Sequence, residues 1–196
     1  MRWQSFEVAA PRLAGLAKEK LVAPGVVLVG TIRRDGSPRI SPVEPFLLDG
    51  DLWLSMLWGS HKARDLMRDG RVLLHSIVTS RDGGGGEMKL RGVCREERDQ
   101  SVQRRYAEAV SAALGWEPEV GRFHLFAIEI GSVSYLRYDD PTGDQYVVLW
   151  PQGEEFVRRG TSATSLGDVE RSANEYTGEG VAARSLSTRS SGSGVS

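Results

Sequence analysis

The sequence predicts a mainly β, antiparallel fold, a meander or barrel with helices inserted between its strands. Two hairpin signals carry this reading, Asp35-Gly36 and Asp49-Gly50, set between β-rich runs at a spacing of about a dozen residues. The third observation is a change of period. GSHKARDLMRDG, residues 59–70, interrupts the strands with apolar residues at helical spacing.

Each element follows from local chemistry. Between Ser5 and Lys20, Phe6, Leu13, Leu16 and Ala17 form a helical stripe with Ser5 at the cap position, and Pro11 divides it into a short turn and a longer helix. GVVLVGTIRR, residues 25–34, is a glycine-bounded β-branched run too short for a helix, hence a buried strand. PRISPVEPFLL, residues 38–48, carries prolines at 38, 42 and 45 that cannot donate to a ladder, so it is expected to be an edge, bulged or turning strand. DLWLSML, residues 51–57, follows as the next strand. In the inserted helix Ser60 caps, Ala63, Leu66 and Met67 share a face, and Gly70 lies just past the end.

RVLLHSIVT and EMKLRGVCREE read as strands on either side of the tetraglycine Gly83–Gly86. DQSVQRRYAEAVSAALG is an amphipathic helix stopped by Gly115. RFHLFAIEIGSVSYLRYD is expected to give two strands around Gly131, and QYVVLW a last one. From Gly160 onward, 19 of 37 residues are Gly, Ser or Thr, a composition that buries too little apolar surface to order itself. The expected organisation is a domain over residues 1–150 and an extension over 151–196, largely disordered from about 160. A short helix near SLGDVERSANEY is expected only if a partner covers it.

Composition narrows the function. A chain of 196 residues with net charge -1, 26% charged and 40% hydrophobic residues, has the profile of one soluble globular domain rather than a nucleic-acid binder, and any basic patch must be local. Cys94 is the single cysteine, which excludes an intrachain disulfide and multi-thiolate metal sites and points to the cytosol. No run approaches the roughly 18 apolar residues of a membrane span, and the N-terminus has no uninterrupted apolar core, so neither a membrane anchor nor export is expected. His61, His75 and His124 are too scattered to mark a metal site by spacing. Neither a Gly-x-Ser-x-Gly elbow nor a Walker loop is present: the tetraglycine runs into Glu87 and Met88.

The segment Gly30–Ser76 carries the most specific pattern. A strand ends in Asp-Gly and turns into a Pro-Arg strand, a third strand follows, and Ser60-His61-Lys62 opens a short helix before a strand begun by an Arg-Asp-Gly turn. This pattern resembles the pyridoxamine 5'-phosphate oxidase-like family of flavin-binding split β-barrels, and the strand order fits it through about Trp150. The resemblance implies a six-stranded antiparallel split β-barrel, a homodimer with flavin sites between subunits, and FMN as cofactor. The deazaflavin F420 is the alternative in the same fold.

The residues point to the same place independently. Ser60 and Lys62 begin a helix, where free N–H groups and the dipole favour an anion, and Arg39 and Ser41 share one face of the neighbouring strand. The resemblance places Arg39, Ile40, Ser41, Ser55, Ser60, His61 and Lys62 at the cofactor. Trp53, Ser55 and Leu57 alternate on one face, with Trp53 expected in the core and Trp58 beyond the strand placed to stack on a ring. The implied activity is flavin-dependent oxidation or reduction of a small organic substrate. The alternative is a non-catalytic flavin- or small-ligand-binding protein. The vitamin B6 enzyme's Arg- and His-rich C-terminal segment has no counterpart here, since no histidine follows His124. The tetraglycine is expected to act as a gate near the barrel rim rather than as a phosphate cradle.

Overall fold

The computed structural model describes residues 1–79, 81, 85–172 and 175–177. Among the described residues, ten strands form one antiparallel sheet: β1 Val27–Ile32, β2 Pro38–Val43, β3 Pro45–Leu48, β4 Asp51–Leu57, β5 Arg71–His75, β6 Glu87–Glu97, β7 Phe123–Tyr138, β8 Gln145–Trp150, β9 Glu154–Ser162 and β10 Ser165–Arg171. The helices are α1 Trp3–Ala9, α2 Pro11–Ala17 continued by a wider turn over Lys18–Val22, α3 His61–Arg68 and α4 Gln100–Leu114.

The barrel strands lie in the order β2-β1-β5-β6-β7-β4, and β2 and β4 at the two ends are not joined by a ladder. The fold is therefore a split barrel, mostly antiparallel β with a few helices, and its sheet is not closed by hydrogen bonds. Alternation along the strands turns Val27, Val29, Leu54, Met56, Leu74 and Leu90 into the interior. The α1–α2 segment packs Trp3, Phe6, Leu13 and Leu21 into the same core. Outside β4 and β7, α4 lays Tyr106 and Val110 against Trp53, Phe123 and Leu125, so Trp53 is core, as its pattern predicts.

Several expected elements differ in detail. The 38–48 segment is two strands, because the chain breaks at Glu44 before Pro45, and proline disfavours continued pairing there. The 123–138 segment is one strand of 16 residues rather than two; Gly131 is the extra residue of a bulge, with Arg91 opposite Ser132 and Gly92 opposite Ile130. Facing that bulge, a Cβ on Gly92 would lie 2.4 Å from the Glu129 carbonyl oxygen, so this close approach requires glycine. Ser5 lies inside α1, whose cap position is Arg2.

The largest correction concerns the C-terminal segment. Residues 160–171, expected to be disordered, complete β9 and form β10, and the region proposed as a partner-dependent helix is largely this last strand. A polar hairpin is held by ladder hydrogen bonds and side-chain acceptors, not by apolar burial, which is why composition misses it. Asp144 Oδ1 accepts from the Gly160 N–H at 2.9 Å, and Arg159 pairs with Asp144 Oδ2 at 2.7 Å. The tetraglycine, with the gate expected there, lies partly outside the described residues; Gly86 is described, with φ +71.

Candidate functional site

The split itself makes a cleft. The end of β2 at Pro42 and Val43, with Glu44 after it, faces the 55–57 end of β4 there, and Trp116 and Arg122 from the loop after α4 close one side with Phe123 at the start of β7, around ≈ 440 Å³. Ser60 caps α3, its Oγ accepting from the Ala63 N–H at 3.4 Å. Lys62, in the first turn, extends across the split and donates from Nζ to the Pro42 carbonyl oxygen at 3.2 Å. The cleft therefore combines apolar walls, Met56, Leu57, Trp116 and Phe123, with two cations, Lys62 beside a helix start and Arg122, and two carboxylates, Glu44 and Glu119.

The seven residues predicted for the cofactor divide into groups. Ser55 and Lys62 line the split cleft, with Ser60 one residue outside α3. The Tyr106 phenol is raised by burial, an effect that the nearby Ser55 hydroxyl partly opposes. Arg39 and His61 instead line a recess on the other side of α3. Register explains the position of Arg39: it pairs with Thr31 and Ser41 with Val29, so both share the interior-facing side of β1 and β2. Ile40 lies on the opposite face and is 71% exposed.

Arg39 is held by a residue that the sequence reading passed over. Asp65, 4% exposed, accepts from Arg39 Nε at 2.7 Å and from Thr31 Oγ1 at 3.0 Å. Burial raises the Asp65 carboxyl, but these bonds from Arg39 and Thr31 outweigh it and hold it below the usual carboxylate value. Its position three and four residues from Lys62 and His61 marks it as part of the same helix, but only the fold shows that it turns toward Arg39.

His124 is the second residue without a sequence signal. Its Nε2 accepts from the Gly59 N–H at 3.0 Å and its Nδ1 lies 2.7 Å from Glu96 Oε1. An imidazole that accepts at Nε2 carries its proton on Nδ1, so the Nδ1–H donates to Glu96. Glu96 is raised by burial and lowered more strongly by the bonds from His124 and Arg98. Trp58 stacks on the imidazole with centroids 4.5 Å apart and planes 1° apart. The ring that Trp58 meets in this structure is therefore His124. His75 contacts Glu87 at 3.4 Å on the barrel exterior, away from the cleft. No group of three or more potential metal ligands occurs among the described residues.

With this geometry in place, comparison with known proteins decides the family. The family model described as pyridoxamine 5'-phosphate oxidase matches residues 14–137, which spans β1 through β7 and both sides of the split. The chain belongs to this family. No curated protein matches the sequence. Among solved structures, it is similar to a nimC/nimA family protein from Clostridium acetobutylicum, with TM-score 0.54 and 16% identity over 72% of this chain and 92% of that one. It is also similar to a protein from the same organism related to general stress protein 26 of B. subtilis, of the pyridoxinephosphate oxidase family. There the TM-score is 0.50 and the identity 16%, over 64% of this chain and 84% of the other. At these identities the likeness carries the fold alone. No described helix is long and apolar enough to cross a membrane. Cys94 is buried, and burial pushes its thiol up to about 12, so it is not a reactive thiolate.

Proposed function

We propose that the chain is an FMN-dependent oxidoreductase of the pyridoxamine 5'-phosphate oxidase family acting on a small organic substrate, in the cytosol and as a homodimer. The observation that carries this reading is the split cleft, in which Lys62 at the start of α3 meets walls formed by Met56, Leu57, Trp116 and Phe123. The donor set fits a flavin mononucleotide: apolar and aromatic walls suit a planar ring, and an ammonium beside a capped helix start suits a phosphate. Bound there, a flavin would supply the redox chemistry.

The chain's own residues bind and orient. Ser60 and Lys62 hold the phosphate end, Ser55 offers its hydroxyl along β4, and Ser41 and the β2 backbone at Ile40 border the split. Arg39 and His61 approach from the far side of α3. The loop at Trp116 limits water at the apolar end. Exposed Ile40 and Leu57, at 71% and 81%, support a second copy packed against this edge of the barrel.

Titration of the purified chain with FMN tests the reading. It should bind FMN and the bound flavin should be bleached by a nicotinamide nucleotide; Lys62→Ala should weaken binding at least tenfold, from about 1.5 to 3 kcal/mol for a charged hydrogen bond. Tighter binding of F420 than of FMN makes the chain a deazaflavin enzyme of the same fold. Binding without turnover makes it a non-catalytic carrier, and a chain that binds neither cofactor rejects the proposal.

A further inference from the structure

A recess at the mouth of the barrel, among the described residues, shares only Phe123 with the split cleft. The ends of β4 and β6 and the start of β7 meet there, because Met56 pairs with His124 and Glu96 with Phe126. Cys94 and Phe126 belong to the barrel interior; Glu96, two residues further along β6, and His124, two residues earlier on β7, continue the same face beyond it. The face that is apolar inside thus turns polar at the rim. Trp58 and Met67 of α3 help to enclose ≈ 550 Å³, a size that suits a small molecule.

The polar groups at this mouth are fixed, and their charges balance. Glu96 Oε1 accepts from His124 Nδ1 at 2.7 Å, and Oε2 accepts from Arg98 Nε at 2.7 Å and from its terminal nitrogen at 2.6 Å. These bonds take three of the roughly four acceptor positions of a carboxylate and leave one on Oε1. His124 spends Nε2 on the Gly59 N–H and stays neutral, and Arg98 offsets the Glu96 charge. The wall at Gly121 is held by buried Gln103, which donates to the Glu97 carbonyl oxygen at 3.0 Å and accepts from the Gly121 N–H at 3.1 Å.

Trp58 points to a ligand. Its ring is stacked on His124 at 4.5 Å yet remains 63% exposed, so one face is spent and the rest is open beside the recess. Met67, also exposed, lines the same space. Exposed apolar side chains gathered around a fixed carboxylate, rather than scattered singly, mark a binding site.

We propose that the barrel mouth binds a neutral, planar nitrogen heteroaromatic of one or two rings, which stacks on Trp58 and donates an N–H to Glu96. A flat ring extends the stack that Trp58 and His124 begin, and its N–H takes the acceptor position left on Oε1. A ligand without a donor leaves that position unmet. An anion meets the Glu96 carboxylate, whose own countercharge is already supplied by Arg98.

Amide NMR titration of the full chain, with and without saturating FMN, tests this with three probes. Indole carries a ring N–H, benzothiophene has the same shape without it, and indole-3-carboxylate adds a negative charge. Indole should saturate one site in both conditions, shifting the Gly59 and Gly121 amides and the Trp58 ring N–H, and should bind at least tenfold tighter than the other two probes. Trp58→Ala alters an exposed side chain and should weaken indole at least tenfold. Glu96→Gln should narrow the preference for indole over benzothiophene, with the β6 and β7 amide signals of both variants showing that the barrel is folded. The proposal is overturned if indole gives no saturable shift at these groups, or if benzothiophene or indole-3-carboxylate binds as well. It also fails if FMN displaces indole one for one, which would make the mouth part of the flavin site. Movement of the Trp58 signal on dilution without ligand would assign its open face to a second copy and overturn the proposal too. The titration without FMN reads the mouth even if the chain takes no flavin.

Discussion

The backbone N–H of Gly59 donates to Nε2 of His124 across 3.0 Å, tying the turn before α3 to strand β7. Gly59 has φ +65, a left-handed conformation, and the next residue is the Ser60 cap. The direction of the helix start beside the split cleft is thus set by an imidazole that Glu96 orients from behind and Trp58 covers. His124 is a positioning residue in this arrangement.

Replacing His124 separates acceptor from volume. His124→Leu leaves the Gly59 N–H without its acceptor, at a cost of about 1 to 3 kcal/mol for a buried unsatisfied group, and takes one of the two donors from Glu96, which keeps Arg98. His124→Gln offers an acceptor near Nε2. The expected outcome is a lower urea midpoint for the leucine variant and FMN binding weakened severalfold beyond that of the glutamine variant, measured at a denaturant-free temperature where both are folded. Equal FMN affinities in the two variants would show that the Gly59 contact does not shape the site.

How far the sequence predicts this arrangement depends on the range of the interaction. The α3 cap at Ser60, the stop of α4 at Gly115 and the hairpin at Asp49-Gly50 are local devices, and each appears where turn and cap chemistry places it. The bond from Gly59 to His124 spans 65 residues and leaves no periodic trace. Arg39 and Lys62 look like partners in sequence because both are cations near one strand-helix junction. Register and helical phase place them on different sides of α3, with Arg39 drawn to Asp65. The hairpin beyond Gly160 was hidden for another reason: its order rests on backbone pairing and on single acidic acceptors, which average composition does not register.

Asp65 predicts the acid behaviour. Its folded carboxyl titrates below its usual value, despite the opposing effect of burial, because Arg39 and Thr31 donate to the ionised form. A folded value below the unfolded one means that its contribution to stability is fully present above the unfolded pKa. That contribution is lost as pH falls through the folded value. Glu96 shifts in the same direction and adds to the same limb. The wild-type urea midpoint should hold from neutral pH to about pH 5 and fall below about pH 4. Asp65→Asn removes one member of a largely buried pair and should cost about 3 kcal/mol at neutral pH, with a shallower acid limb. Parallel acid limbs in the two proteins would exclude Asp65 as a source of the pH dependence.

Glu155 provides a test of the C-terminal segment. Its carboxylate is 6% exposed and accepts from the N–H groups of Glu175, Tyr176 and Thr177 at 2.8, 2.8 and 2.7 Å and from the Thr177 hydroxyl at 2.8 Å. One acidic side chain on β9 therefore anchors a segment of otherwise small and polar residues, and Tyr176 lies beside Tyr135 with ring centroids 6.0 Å apart. Glu155→Ala removes every one of those acceptor contacts without touching the barrel. Amide exchange at Glu175, Tyr176 and Thr177 should accelerate at least tenfold, equivalent to about 1.4 kcal/mol of local opening, while the β6 and β7 amides keep their protection. Glu155→Gln keeps an acceptor oxygen but introduces an amide donor among donors, so its exchange should fall between the two. Unchanged exchange in the alanine variant would mean that the segment is held by its other contacts, Arg12 on the Glu175 carbonyl oxygen at 3.0 Å and Tyr135 beside Tyr176, rather than by this carboxylate.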